Sequence, residues 1–288
     1  MQIIVSGLIF GCIYALAALG LVLIFKTTEV ANFAHGEMAM VTTFVSYIFL
    51  TSYGFPYLLS IVLSLIFATI FGMVVYLLFM KRIQSAPHLN QVVLTLGLFM
   101  VFNGLAGLIW GYDTTSYPEA IKGKPFEIGG VFISGNEIFM VGLTVVLMLL
   151  FFLLFRFTKI GLAMRSASQD IMASELMGVK VTGVFMGAWA IGTALGGIAG
   201  IMTAPVTFLS PNMMGEVLII AFAGAVLGGF QSLPGAVVGG LIIGVFQNLI
   251  SYYISPELKI VFVFLLIVLV LYVRPQGIFG GSKIVKKV

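Results

Sequence analysis

Charge is what this chain has least of. Only 8% of its 288 residues are Asp, Glu, Lys or Arg, against about 25% in ordinary soluble domains. No charged side chain stands between Glu37 and Lys81, and none between Glu216 and Glu257. Each gap runs about 40 residues, and roughly 20 apolar residues cross a bilayer as a helix. Each gap therefore predicts two crossings, turning at Ser52-Tyr53-Gly54-Phe55-Pro56 and at Gln231-Ser232-Leu233-Pro234-Gly235. Cysteine is scarce too: the single Cys12 excludes an intrachain disulfide framework. The two histidines, His35 and His88, lie in no Cys/His cluster of metal-ligand spacing. No G-x-x-x-x-G-K-[ST] segment exists to cradle nucleotide phosphates. Short alternating segments of the kind that build a membrane β-barrel are also missing. No set of catalytic groups stands out, so neither an enzyme, a cofactor, a metal nor a nucleic-acid partner is expected.

What is present is hydrophobicity, with 61% apolar residues and a mean hydropathy of +1.19. Lipid offers no hydrogen bonds to an open backbone, so such runs predict an all-α polytopic membrane bundle. The spans fall near 3–25, 38–52, 56–80, 90–111, 137–157, 183–208, 216–230, 234–253 and 256–273, about nine in all. The first residues lack the basic stretch of a cleavable signal peptide, so 1–25 reads as the first span. Cytoplasmic loops hold the excess of Lys and Arg. With the N-terminus outside and the C-terminus inside, Lys26, Lys81, Arg82, Arg156, Lys159, Arg165, Lys180, Arg274, Lys283, Lys286 and Lys287 face the cytoplasm. Only Lys122, Lys124 and Lys259 then lie outside, in keeping with an outer 112–136 loop that carries Asp113, Glu119 and Glu127.

Two spans, 38–52 and 216–230, are short, and each follows a long span marked by glycines. Gly7, Gly11 and Gly20 mark the first; Gly183, Gly187, Gly192, Gly196, Gly197 and Gly200 mark the sixth. Such matching segments in two halves point to an inverted repeat of spans 1–4 and 6–9 around a translocation site. Close helix packing would explain the same glycines. An ion-coupled carrier is disfavoured, because acids and bases are expected only at span ends and in loops.

Two polar stretches stand out. The 158–182 loop offers Ser166 and Gln169 at capping-box spacing, and Gly178 as a left-handed stop. Between them Ile171, Met172, Leu176 and Met177 predict one short amphipathic helix. That helix would either lie on lipid headgroups or plug into a soluble partner. The second stretch is Asn32-Phe33-Ala34-His35-Gly36-Glu37. His35 and Glu37 are two apart and would not face each other on a helix, and Gly36 suggests a bend. A polar cap on a span, with Glu37 near the helix N-terminus, is the alternative reading.

Asn32-Phe33-Ala34-His35-Gly36-Glu37 resembles the N-F-A-H-G-E signature of permease subunits of branched-chain amino-acid ABC importers. Ile13 to Leu21, Ile160 to Ala167, Ala173 to Val179, Val226 to Ala236 and Arg274 to Gly280 are similar to further family segments. The likeness covers essentially the whole chain and suits the shorter, H-type membrane subunit, with residues 1–288 as one permease domain. It implies a translocation path for leucine, isoleucine and valine in a bacterial plasma membrane, or for urea or short amides in a related system. It implies three kinds of partner besides lipid: a second related permease, two ATP-binding subunits and an extracytoplasmic substrate-binding protein. The signature residues become candidates for lining the mouth of the pore. Arg165, Ala173, Glu175, Leu176 and Gly178 become candidates for contacting the ATPase, with Gly178 ending the coupling helix.

Overall fold

The computed structural model describes residues 1–280. Lys283, Lys286 and Lys287, assigned above to the cytoplasmic side, lie outside the described residues. Among the described residues, each of the expected apolar segments is a helix. They are α1 (Gln2–Thr28), α2 (His35–Thr51), α3 (Tyr57–Leu78), α4 (His88–Trp110), α5 (Gly135–Phe157), α8 (Val181–Thr207), α9 (Met214–Gly228), α10 (Leu233–Tyr253) and α11 (Lys259–Val273). Six of them are long and apolar enough to cross a membrane, whereas α9 and α11 are shorter apolar helices. Two more helices, α6 (Lys159–Ala167) and α7 (Ile171–Leu176), fill the polar loop before α8.

Local chemistry sets the helix starts. Ser134 Oγ accepts from Glu137 N at 3.1 Å while Glu137 accepts from Ser134 N at 2.7 Å. This reciprocal capping box opens α5. Ser232 accepts from Gly235 N at 3.1 Å and Pro234 occupies the first turn, which opens α10. The last carbonyls of α9 would otherwise be orphaned. The chain after α11 returns to them: Ile278 and Phe279 donate to Leu227 and Gly228 at 2.8 and 3.1 Å.

The middle of the bundle is the pair α1 and α8. In their apolar windows 83% and 78% of residues are buried, against 17% for α5. Helix α1 packs along α10 as α8 packs along α3. Helix α2 rests on α8 and α9 rests on α1, while α4 lies against α2 and α11 against α9. Glycines permit these approaches: a Cβ on Gly11 would meet the Leu241 backbone at 2.9 Å, and one on Gly200 the Ala39 carbonyl oxygen at 2.9 Å.

The chain's two ends of charge separate. Lys26, Arg156 and Arg165 share one recess with Gln231 and Phe279, and Lys26 and Arg165 both lie 5.8 Å from the Phe155 ring. Elsewhere Gln2 donates to the Phe132 carbonyl at 2.9 Å and accepts from its N–H at 2.8 Å. Phe132 belongs to a small hairpin that hydropathy does not announce, β1 (Phe126–Ile128) antiparallel to β2 (Val131–Ile133). Its turn, Gly129-Gly130, has φ of 60° and 77°, the left-handed pair that a tight hairpin requires. The same 112–136 loop is pinned to the end of α8 by a two-way backbone pair between Thr115 and Leu209.

Candidate functional site

Four residues before α2 decide how the signature is held. The Asn32 side chain accepts from Ala34 N at 3.1 Å, turning the chain into the helix. Thr95 of α4 donates to the Ala31 carbonyl at 3.2 Å and accepts from Phe33 N at 3.4 Å. The Phe33 ring stacks on Phe222 of α9, with centroids 5.3 Å apart. Asn32, Ala34, His35 and Glu37 are all buried. The signature is thus a junction of α1, α2, α4, α8 and α9.

His35 and Glu37 leave the first turn of α2 in different directions. The His35 ring lies in a slot between the interiors of α1 and α8, where Cβ atoms on Gly20 and Gly196 would come within 3.0 and 2.7 Å of it. Neither ring nitrogen makes a hydrogen bond of good geometry among the described residues, although the Ala17 carbonyl faces the ring. Glu37 turns toward α4, where Asn103 Nδ2 donates to its carboxylate at 3.3 Å. The same amide lies 3.2 Å from both the Pro211 carbonyl and the Asn212 side chain, just before α9. One asparagine therefore ties together the beginnings of both short helices.

One expectation needs correction here. Gly36 makes no bend: it is helical, and it lets α2 approach α9, since a Cβ there would touch Leu218 at 3.3 Å. Glu37 keeps to a helix end, as expected, in the first turn of α2, yet it is only 2% exposed. It opens α2 in sequence, but the chain between α1 and α2 folds back into the bundle, so that beginning lies against helix interiors. Asn103 was not singled out in the sequence. A lone amide late in the apolar run of α4 is the signal that would have found it, since polar groups at such depth need partners.

The polar loop holds the second group. The expected single helix from a Ser166 cap is two helices. Ser166 lies inside α6, and Gln169 meets only its backbone carbonyl. Thr158 caps α6 and Asp170 caps α7, its side chain accepting from Ala173 N at 3.0 Å. The cap falls at Asp170 because the chain reverses there, whereas Ser166 sits in the last turn of α6. Gly178, at φ 83°, closes α7 as expected. Val179 N donates to Ser174 and Gly178 N to Glu175, the paired bonds of a Schellman stop. Ala173, Glu175, Leu176 and Gly178 are all exposed on α7, and Met172 and Met177 beside them are 74% and 85% exposed. Arg165 stands apart from this surface, on α6 against Phe155.

A multi-pass helical bundle whose short helices begin beside the interior of its central pair has the form of a membrane transport subunit. The family model described as "Branched-chain amino acid transport system / permease component" matches residues 3–271, and the chain belongs to that family. It is 27% identical to the high-affinity branched-chain amino acid transport system permease protein LivH of Salmonella typhimurium, covering 99% of this chain and 97% of that one. A probable branched-chain amino acid permease of Methanocaldococcus jannaschii is 28% identical over 97% of this chain and 92% of its own length. The xylose/arabinose import permease XylH of Sulfolobus acidocaldarius is 29% identical over 69% of this chain and 52% of its own. In fold, the chain is similar to a structure described as PsaBC from Streptococcus pneumoniae in complex with Fab. There the TM-score is 0.51 and the identity 10%, over 96% of this chain and 91% of that one.

Proposed function

We propose that the chain is the membrane-spanning permease subunit of an ATP-binding-cassette importer and forms the translocation path for leucine, isoleucine and valine. The observation that carries this reading is the family match over 3–271, joined to near full-length similarity with relatives named for that cargo. The signature residues Asn32 to Glu37 act as the hinge around which α2 and α9 meet. ATP hydrolysis belongs to two partner subunits. A second related permease completes the pore, and an extracytoplasmic protein delivers the cargo. Loaded binding protein and ATP bias an outward- and inward-open equilibrium through their different affinities for its states.

The finer architecture follows the same reading: residues 1–288 as one domain of nine spans in a bacterial plasma membrane, N-terminus out and C-terminus in. The gathering of Lys26, Arg156 and Arg165 away from Gln2 and the hairpin supports that orientation. An inverted repeat is supported by packing that survives exchange of α1–α4 with α8–α11. Gly36-Glu37 and Gly215-Glu216 then occupy matching first turns of α2 and α9. Within 158–182, the exposed apolar face of α7 suits insertion into a groove on the ATPase. Ala173, Glu175, Leu176 and Gly178 make that contact, and Arg165 steadies α6 behind it.

Proteoliposomes holding the full complex test the function. With loaded binding protein and ATP they take up labelled leucine, isoleucine and valine. Uptake of urea or short amides instead would replace the cargo, and gradient-driven uptake by this chain alone would replace the class. For sidedness, cysteines placed at Lys124 and Gln231 should react with impermeant maleimide from opposite faces; labelling from one face overturns the orientation.

A further inference from the structure

Glu37 and Glu216 stand at matching places in the two halves, yet their surroundings differ. Glu37 is sealed against Asn103. Glu216 opens on a cavity of about 440 Å³ walled by α1, α8, α9, α10 and α11, within the roughly 300–1,000 Å³ of small-molecule sites. We propose that this cavity binds a zwitterionic amino acid with an aliphatic side chain, its ammonium on Glu216 and its carboxylate on Lys259. The inference rests on the transport function above and adds a binding site within the permease itself.

The lining is divided as such a ligand requires. Glu216 and Lys259 contact each other as an ion pair across the cavity, with side chains 42% and 25% exposed. Ile13, Val206, Met213 and Val217 supply the apolar wall. With the cavity unfilled the two charges neutralise one another at its wall, in a partly exposed pair that is weak enough to be exchanged. A zwitterion replaces that one ion pair by two and leaves the net charge unchanged. A cation or an anion alone would strand one of the two side chains. The exchange favours weak, reversible holding, which suits a transport intermediate.

The neighbouring amides sort themselves. Asn248 is committed to the wall, donating to the Ile3 carbonyl at 2.6 Å. Gln247 keeps its side-chain oxygen buried with no hydrogen-bond partner among the described residues. The Tyr14 hydroxyl stands beside that amide, and an ammonium held at Glu216 would be a further donor to it. The cavity lies toward the end of the bundle where Ile3 and Thr207 sit, the end that receives cargo from the binding protein in the proposed orientation.

The test uses the assembled complex in nanodiscs, without binding protein or nucleotide, and equilibrium binding of labelled leucine. Wild type should bind saturably, with valine and isoleucine competing, and with leucinol and 4-methylpentanoate competing at least about tenfold more weakly. Glu216→Gln should lower leucine affinity to that of 4-methylpentanoate, and Lys259→Met to that of leucinol. Gln247→Leu, which leaves the ion pair intact, should weaken leucine about threefold without loss of assembly. Leucine transport by the full complex with no saturable binding, or with affinities unmoved by all three substitutions, overturns the site and leaves the transport function standing. Failure of the wild-type complex to transport leucine overturns the cargo and the site together.

Discussion

Replacing Asn103 by leucine removes the side-chain donor that reaches the Glu37 carboxylate at 3.3 Å. Two scales compete for the magnitude. Neutral hydrogen bonds between membrane helices average about 0.6 kcal/mol, because the unfolded chain in lipid finds other partners. Bonds to charged groups are worth about 1.5–3 kcal/mol, and a buried carboxylate left without its donor keeps its desolvation penalty. Glu37 is 2% exposed, and with the measurement made at alkaline pH, where its carboxyl group is ionised, the second scale governs. The Pro211 carbonyl loses the same donor, whereas Asn212 is exposed and can turn to water. Asn103→Leu should therefore cost about 2–3 kcal/mol in reversible SDS unfolding from bicelles. In a Glu37→Gln background the same change should cost only about 0.6 kcal/mol. The cycle thus carries roughly 1.4–2.4 kcal/mol of coupling. Equal losses in the two backgrounds, or a single-mutant loss below about 0.5 kcal/mol, would refute the argument that Asn103 holds a buried charge.

Three other changes probe the His35 slot and the two ends of α7. Gly196→Ala places a Cβ 2.7 Å from His35 Nε2. Gly20 closes the other side of the slot, so overpacking should cost about 1–3 kcal/mol, and His35→Ala should recover part of it; an unchanged melting temperature would contradict the slot. Asp170→Ala removes the cap of α7 and should loosen that helix by about 1 kcal/mol. Amide exchange at Ala173 should quicken while the bundle keeps its protection, and unchanged exchange would remove Asp170 from its role. Gly178→Val forces a β-branched residue to φ 83° and should cost roughly 1–2 kcal/mol locally. Stimulation of the partner ATPase by loaded binding protein should fall at intact assembly; undiminished stimulation would reject α7 as the coupling element.

Helix positions were readable because their cause is local. The charge-free runs before Lys81 and Glu257 each became two helices, with turns at the expected Gly54 and Pro234 segments. Gly178 was legible for the same reason, since a left-handed stop is written in one residue. Ser166 is no cap because the chain reverses four residues later, at Asp170, and Ser166 itself stays inside α6. The Gly129-Gly130 hairpin escaped because three-residue strands carry no usable periodicity.

The candidate site divides differently. Its motif, Asn32 to Glu37, stood in the sequence, but its partners came from α1, α4, α8 and α9, more than sixty residues away for Thr95 and Asn103. Nothing in the spacing of Gly36 foretold that it admits Leu218 rather than bending the helix. By itself the sequence determined a helical membrane protein, because lipid imposes a length and hydropathy rule on every span, and its Asn32 to Glu37 motif carried the resemblance to a family. Only the tertiary structure decided that Glu37 is sealed by an amide while Glu216 opens on a cavity with Lys259. The physical reason is that a polar group's role depends on which helices pack around it, and that packing is a property of the whole bundle.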